Sequence, residues 1–175
     1  MELWDLYDKN RNKTGEVAVR GGERIPEGRY HIVVHAAVFN DRGEMLIQRR
    51  QPWKDVFPGL WDISVGGSAV AGEDAPLACF RELNEEVGLA LDEIRNGRAV
   101  FTVNFGDGFD DYFTAHWNGD PASLTLQDSE VAEVRFASRE EIAAMTRAGT
   151  FIPYHPGLMD LLFLYCEKTS IYDWK

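Results

Sequence analysis

The sequence predicts an α/β fold: a mixed β-sheet packed with helices and preceded by an N-terminal β-hairpin. Two observations carry this. Short runs of β-branched and apolar residues recur along the chain between glycine- and asparagine-containing turns, and one segment, Ala75 to Val87, has helical periodicity with a stop signal at each end. Residues 2 to 8 and 15 to 20 read as a hairpin around Asn10-Arg11-Asn12-Lys13-Thr14-Gly15, an extension spanning residues 1–30. His31 to Phe39 is a strand, Asn40-Asp41-Arg42-Gly43 a turn and Glu44 to Arg49 its partner strand. After a loop carrying Pro52, Pro58 and Gly59, Leu60 to Val65 reads as a further strand. Ala99 to Phe105 and Tyr112 to Trp117 form two more around Gly106-Asp107-Gly108, and Val131 to Phe136 another. Ser138 to Arg147, with capping-box spacing between Ser138 and Glu141, and the leucine-rich Gly157 to Glu167 are two further helices.

Composition narrows the function classes. With 175 residues, 45% of them hydrophobic, the chain is read as one domain over 1–175 with one sizeable core. Twenty-nine acidic against eighteen basic residues give a net charge of -11, which argues against a nucleic-acid polymer as partner. Cys79 and Cys166 match no metal-ligand spacing, and no stretch approaches the ~18 apolar residues of a membrane span, so a cytoplasmic protein with free thiols is expected. The N-terminal hairpin, or the tail Ile171-Tyr172-Asp173-Trp174-Lys175, is where a homodimer would form.

The helix from Ala75 to Val87 starts with Asp74 as N-cap and Pro76 in its first turn, and stops at Gly88. At about 100° per residue, Pro76, Cys79, Phe80, Leu83 and Val87 share one arc, and Glu82, Glu85 and Glu86 share another. Like charges spaced three and four residues apart on a helix repel by a few tenths of a kcal/mol per pair. Arg81 can pair with Glu85 or with Glu73, but one guanidinium is not expected to neutralise every carboxylate. A hard dication, Mg²⁺ or Mn²⁺, prefers such oxygen ligands and keeps positions open for phosphate oxygens.

Read from Gly67, the pattern is five residues, Glu73, seven residues, then Arg81-Glu82-Leu83-Asn84-Glu85-Glu86-Val87-Gly88-Leu89. It resembles the Nudix box at every defining position, a match expected by chance about once in 10⁸ starting points at ordinary residue frequencies. The resemblance implies an α/β/α sandwich around the mixed sheet, with the box (67–89) as loop-helix-loop. It implies a metal-dependent hydrolase that cleaves a diphosphate linkage in a nucleoside di- or triphosphate, or another X-linked diphosphate, by attack of activated water. Glu82, Glu85 and Glu86, with the Gly67 carbonyl, would bind Mg²⁺ or Mn²⁺, and Glu73 and Arg81 would brace the loop against the helix. The general base is a box glutamate, Glu85 or Glu86, or Glu130 in a later loop, with Glu133 as fallback.

Beyond the box the chain is similar to the branch of isopentenyl-diphosphate isomerase, on the evidence of Trp4-Asp5, His31, Asn40, Arg49-Arg50, Lys54 and Phe57-Pro58-Gly59-Leu60-Trp61. That resemblance implies diphosphate contacts for Arg50 and Lys54. It disfavours isomerization itself, because Gly66 and Ser68 stand where the isomerases need a cysteine and a histidine. The other alternative is a ligand sensor, a class that typically lacks one or more of the box glutamates retained here. Trp53, Phe57, Phe109, Tyr112 and Tyr154 are aromatic residues able to stack on a base.

Overall fold

The computed structural model describes residues 2–90 and 97–167; the tail named above as a dimer contact lies outside them. Two strands, β1 (Leu3–Tyr7) and β2 (Lys13–Val19), pair antiparallel as a separate hairpin. The remaining strands are β3 (His31–Phe39), β4 (Met45–Arg50), β5 (Trp61–Asp62), β6 (Val65–Ser68), β7 (Phe101–Phe105), β8 (Gly108–His116) and β9 (Val131–Ala137). They form one mixed sheet in the order β5-β4-β3-β8-β7, with β6 on β3 and β9 on β4. The helices are α1 (Ala75–Val87), α2 (Arg139–Arg147) and α3 (Pro156–Glu167).

β3 lies at the centre, parallel to β8 from His31↔Gly108 to Phe39↔His116. A strand covered on both faces reads as a nearly continuous apolar run, as HIVVHAAVF does. Successive side chains alternate between faces. Ile32, Val34, Ala36 and Val38 pack in the cluster that holds Cys79, Leu83 and Val87 of α1. Ala37 and Phe39 pack in the second cluster, with Ile142 of α2 and Leu162 and Phe163 of α3. Helices therefore cover both faces of the sheet, and the architecture is the expected sandwich.

Two sequence expectations need correction. The strand read over Leu60 to Val65 is broken into β5 and β6, which pair with different neighbours. β3 and β4 share only the register pair Phe39↔Met45, and Ser64 fills the wedge between them. Its hydroxyl accepts from Val38 N at 2.8 Å and donates to Leu46 O at 2.5 Å. A buried side chain thus replaces ladder bonds that would otherwise go unmade. The second correction is at β8, which begins at Gly108 rather than Tyr112, because Phe105↔Gly108 closes a tight turn over Gly106-Asp107.

The hairpin is fixed to the domain that carries the box. Arg11 reaches Asp111 through both terminal nitrogens, at 2.9 and 2.5 Å, and lies over the Phe109 ring. The backbone bond Tyr7 N to Tyr30 O (2.8 Å) ties β1 to the start of β3, and Ala71 N to Leu3 O (2.7 Å) with Gly72 N to the Asp5 carboxylate (2.9 Å) ties it to the loop that leads into α1. Among the described residues no helix is long and apolar enough to cross a membrane.

Candidate active site

Helix α1 has the predicted bounds because its ends are locally determined. The Asp74 carboxylate accepts from Leu77 N at 3.0 Å, and Gly88, at φ 67°, donates to Asn84 O at 3.0 Å. A left-handed residue that returns its N–H to the last turn favours glycine. Ala78, Cys79, Leu83 and Val87 are fully buried. Burial pushes the Cys79 thiol up to about 12, so it stays protonated and packs as an apolar group.

The carboxylates do not all project from the solvated side of the helix. Glu85 is half exposed, Glu82 keeps only 12% of its side-chain surface exposed, and Glu86 is buried at 5%. Arg81 also does more than the sequence led us to expect. It meets both Glu73 oxygens at 2.8 and 3.1 Å, Glu82 at 2.9 Å, Glu85 at 3.1 Å and the Ser68 carbonyl at 2.9 Å. The five-donor guanidinium can serve several acceptors at once. Glu73 in turn accepts from Val70 N at 3.0 Å, so loop and helix share one ionic knot. Gly67 packs bare against the box: an added Cβ would lie 2.0 Å from Glu82 Oε1, so a larger residue would displace that carboxylate.

Glu86 is outside Arg81's reach. The neutral Gln48 amide donates to it at 2.8 Å, and the neighbouring charges of Glu82, Glu130 and Asp62 share its sign. Burial, reinforced by Glu82, raises its pKa to about 8 against the pull of Gln48. Burial likewise raises Glu82, opposed by Arg81. Among the described residues no three His, Cys, Asp or Glu side chains already converge as a metal cage. Glu82 and Glu85 are gathered on Arg81 instead. Three carboxylates carried on one helix are nonetheless the hard-oxygen chemistry that Mg²⁺ or Mn²⁺ takes, and a buried carboxylate among like charges favours a cation.

Lys54 and Glu130, singled out separately in the sequence, form an ion pair at 2.5 Å. Gln51 N bonds the Glu130 carbonyl at 3.0 Å, so the loop from Gln51 to Leu60 is held against the turn before β9. Trp53 (66% exposed) and Phe57 (41%) sit on that loop, whereas Phe109 and Tyr112 are core residues. Glu133 faces the exposed Arg49 at 4.0 Å, whereas Glu130 is the residue whose charge bears on Glu86. Arg50 lies 3.6 Å from the buried Asp62, and Tyr154 donates to Asp62 at 2.8 Å.

Two histidines on β3 differ in environment. His31 is 7% exposed, stacked on Trp4 at 4.3 Å, and burial lowers its pKa; its Nδ1 has no hydrogen-bond partner among the described residues. His35, which the sequence reading passed over, bonds Asp110 through Nδ1 at 2.6 Å. Its imidazole occupies the space above Gly66, where an added Cβ would stand 2.5 Å from Cδ2. A cysteine at 66, as isomerization would need, has no room beside this ring. Gly66→Ala is accordingly expected to lower stability by about 1–3 kcal/mol in urea unfolding.

An acidic loop-helix-loop against a central parallel strand pair, braced by one arginine, defines a class of phosphate-handling α/β proteins. The NUDIX domain profile matches residues 29–155. The chain is 41% identical over 172 residues to an uncharacterized Nudix hydrolase of Listeria monocytogenes, covering 98% of this chain and 99% of the relative. It is 35% identical over 131 residues to another from Pseudomonas aeruginosa, covering 74% of each. Among solved structures, DR0079 from Deinococcus radiodurans superposes with a TM-score of 0.72 at 23% identity, over 95% of this chain and 100% of that one. The MutT protein of Methanosarcina mazei superposes at 0.63 and 26% identity, over 79% and 96%. The chain belongs to the Nudix family and is one of its hydrolases.

Proposed function

We propose that the protein is a divalent-metal-dependent hydrolase of a diphosphate linkage in a nucleoside di- or triphosphate or another X-linked diphosphate. The observation that carries this is Glu86, a buried carboxylate among like charges whose hydrogen-bond partner is a neutral amide. Such a group is costly to ionise unless a cation joins it. Glu82, Glu85 and Glu86, with the Gly67 carbonyl, would hold Mg²⁺ or Mn²⁺. Bound there, the ion supplies charge neutralisation at the phosphoryl oxygens and acidifies water.

The chain's own residues do the rest. Arg81 and Glu73 fix the loop on the helix, so Gly67 stays packed against the Glu82 carboxylate. Arg50 and Lys54 grip the diphosphate, Arg50 being aligned by Asp62. Glu130 takes the proton from the attacking water. Lys54 is paired with Glu130, so a diphosphate that draws Lys54 onto itself also releases the base. The soluble partner is a small molecule, and no role in this chemistry calls for a nucleic-acid polymer.

Release of phosphate or nucleotide from a panel of nucleoside diphosphate derivatives, with Mg²⁺ or Mn²⁺, tests the reading. Glu130→Gln is expected to lower kcat about 10²–10⁴-fold with little change in KM, the range for loss of a general base. Lys54→Met is expected to raise KM. Binding without turnover by the native chain would point to a ligand sensor and contradict the proposal.

A further inference from the structure

Around His35 on β3 lies a polar cluster of which the reaction described above uses only Arg50 and its partner Asp62. His35 and Asp110 meet at 2.6 Å, the Tyr112 hydroxyl donates to the second Asp110 oxygen at 2.8 Å, and Tyr154 and Arg50 converge on Asp62. Burying this many polar groups costs free energy unless each is satisfied, and apolar side chains would fill the same space more cheaply. The cluster is nevertheless built to orient one ring. Tyr112 stacks on the imidazole at 5.1 Å and 13°, and Tyr154 meets it edge-on at 6.3 Å and 87°.

With Nδ1 committed to Asp110, Nε2 is the nitrogen left to act, and it has no hydrogen-bond partner among the described residues. It points over Gly66, 2.7 Å from where a Cβ would be. The next residue, Gly67, is cleared in the same way for Glu82. Since successive side-chain directions alternate along a strand, the Gly66-Gly67 step of β6 puts no side chain between the imidazole and the box carboxylate Glu82. Asp62, in register with Gln48, stands beside the box: Gln48 holds Glu86, and Asp62 aligns Arg50. His35 retains 16% side-chain exposure.

We propose that His35 is a substrate-binding residue whose Nε2 donates to the phosphoryl group of the diphosphate that the box carboxylates do not hold, sharing that group with Arg50. This rests on the diphosphate reading above. A diphosphate bridges two charged centres, and each needs its own neutralisation. The box serves one; two carboxylate-backed donors, Arg50 on Asp62 and His35 on Asp110, serve the other. Donation from Nε2 requires the protonated ring. Burial opposes that form, but the Asp110 bond and charge prevail and raise the His35 pKa.

The test uses the full chain with Mg²⁺ and methylene bisphosphonate, a diphosphate analogue that cannot be hydrolysed, alongside kinetics on the most active nucleoside diphosphate derivative. His35→Phe combined with Asp110→Asn keeps the ring stack and strands no charge. It is expected to weaken analogue binding and raise KM by about tenfold or more, the effect of one charge-assisted hydrogen bond, with kcat and Mg²⁺ uptake changed by less than about threefold. His35→Gln, whose amide nitrogen reaches the Nε2 position, is expected to restore most of the binding. In the unsubstituted protein the His35 Nε2 resonance should move when the analogue is added, a readout independent of whether any variant folds. An unmoved resonance, or unchanged KM and analogue affinity in the double variant, overturns the role of His35 while leaving hydrolysis intact. A native chain that neither binds the analogue nor turns over any diphosphate overturns the reading beneath it.

Discussion

Glu86→Gln is expected to cost about 10³-fold or more in turnover while making the metal-free protein harder to unfold at pH 8. Loss of a ligand that helps neutralise transition-state charge is worth several kcal/mol, and each ~1.4 kcal/mol is a factor of ten. The stability gain follows from the proton. In the folded chain Glu86 keeps its proton up to about 8, against 4.5 for an ordinary glutamate. Between those values the folded state binds more protons than the unfolded state, so wild-type stability falls as pH rises from 4.5 to about 8. Glutamine, isosteric and uncharged, keeps the Gln48 contact available and removes that slope. Urea unfolding at pH 5 and pH 8, without metal, reads it directly. Equal pH dependence in both proteins would contradict the placement of Glu86 in a desolvated site.

Arg81→Met should have the largest effect on stability. Its guanidinium serves Glu73, Glu82, Glu85 and the Ser68 carbonyl together. Removing it leaves three carboxylates facing one another beside an unpaired carbonyl, a loss of roughly 3 kcal/mol by the measure of broken, partly buried ion pairs. At about 2–4 °C per kcal/mol for a chain of this size, Tm drops by about 10 °C. The same variant distinguishes a metal site from a merely acidic helix face. Without Arg81 the glutamates are unneutralised, so Mg²⁺ should raise the variant's Tm more than the wild type's. If Mg²⁺ leaves both melting curves unmoved, these carboxylates do not hold the ion.

What could be read from sequence was local. The helix from Ala75 to Val87 was legible because Asp74 and Gly88 act within one turn of its ends, and β3 because nine consecutive residues suit a strand buried on both faces. The break between β5 and β6 was not legible, since it depends on Ser64 meeting Val38 and Leu46, which lie elsewhere in the chain. The same holds at the site. The spacing of the box glutamates was visible, but the burial of Glu86 depends on Gln48, thirty-eight positions away. Arg81 looked able to choose between Glu73 and Glu85 because a helical wheel does not show the loop folded back onto it. His35 stands in a strand where alternation suggests only core, and its partner Asp110 is seventy-five positions distant; a histidine and an acidic residue two positions out of register on neighbouring strands is a signal only once that register is known.

Every role assigned to the box depends on a cation displacing the proton of Glu86 and drawing Glu82 and Glu85 from Arg81. Calorimetric titration of Mg²⁺ into the protein at pH 7, in two buffers of different ionisation enthalpy, measures this directly. Uptake with release of about one proton, and no proton release from Glu86→Gln, is the expected result. No uptake, or uptake unaffected by the Glu86 substitution, would contradict it.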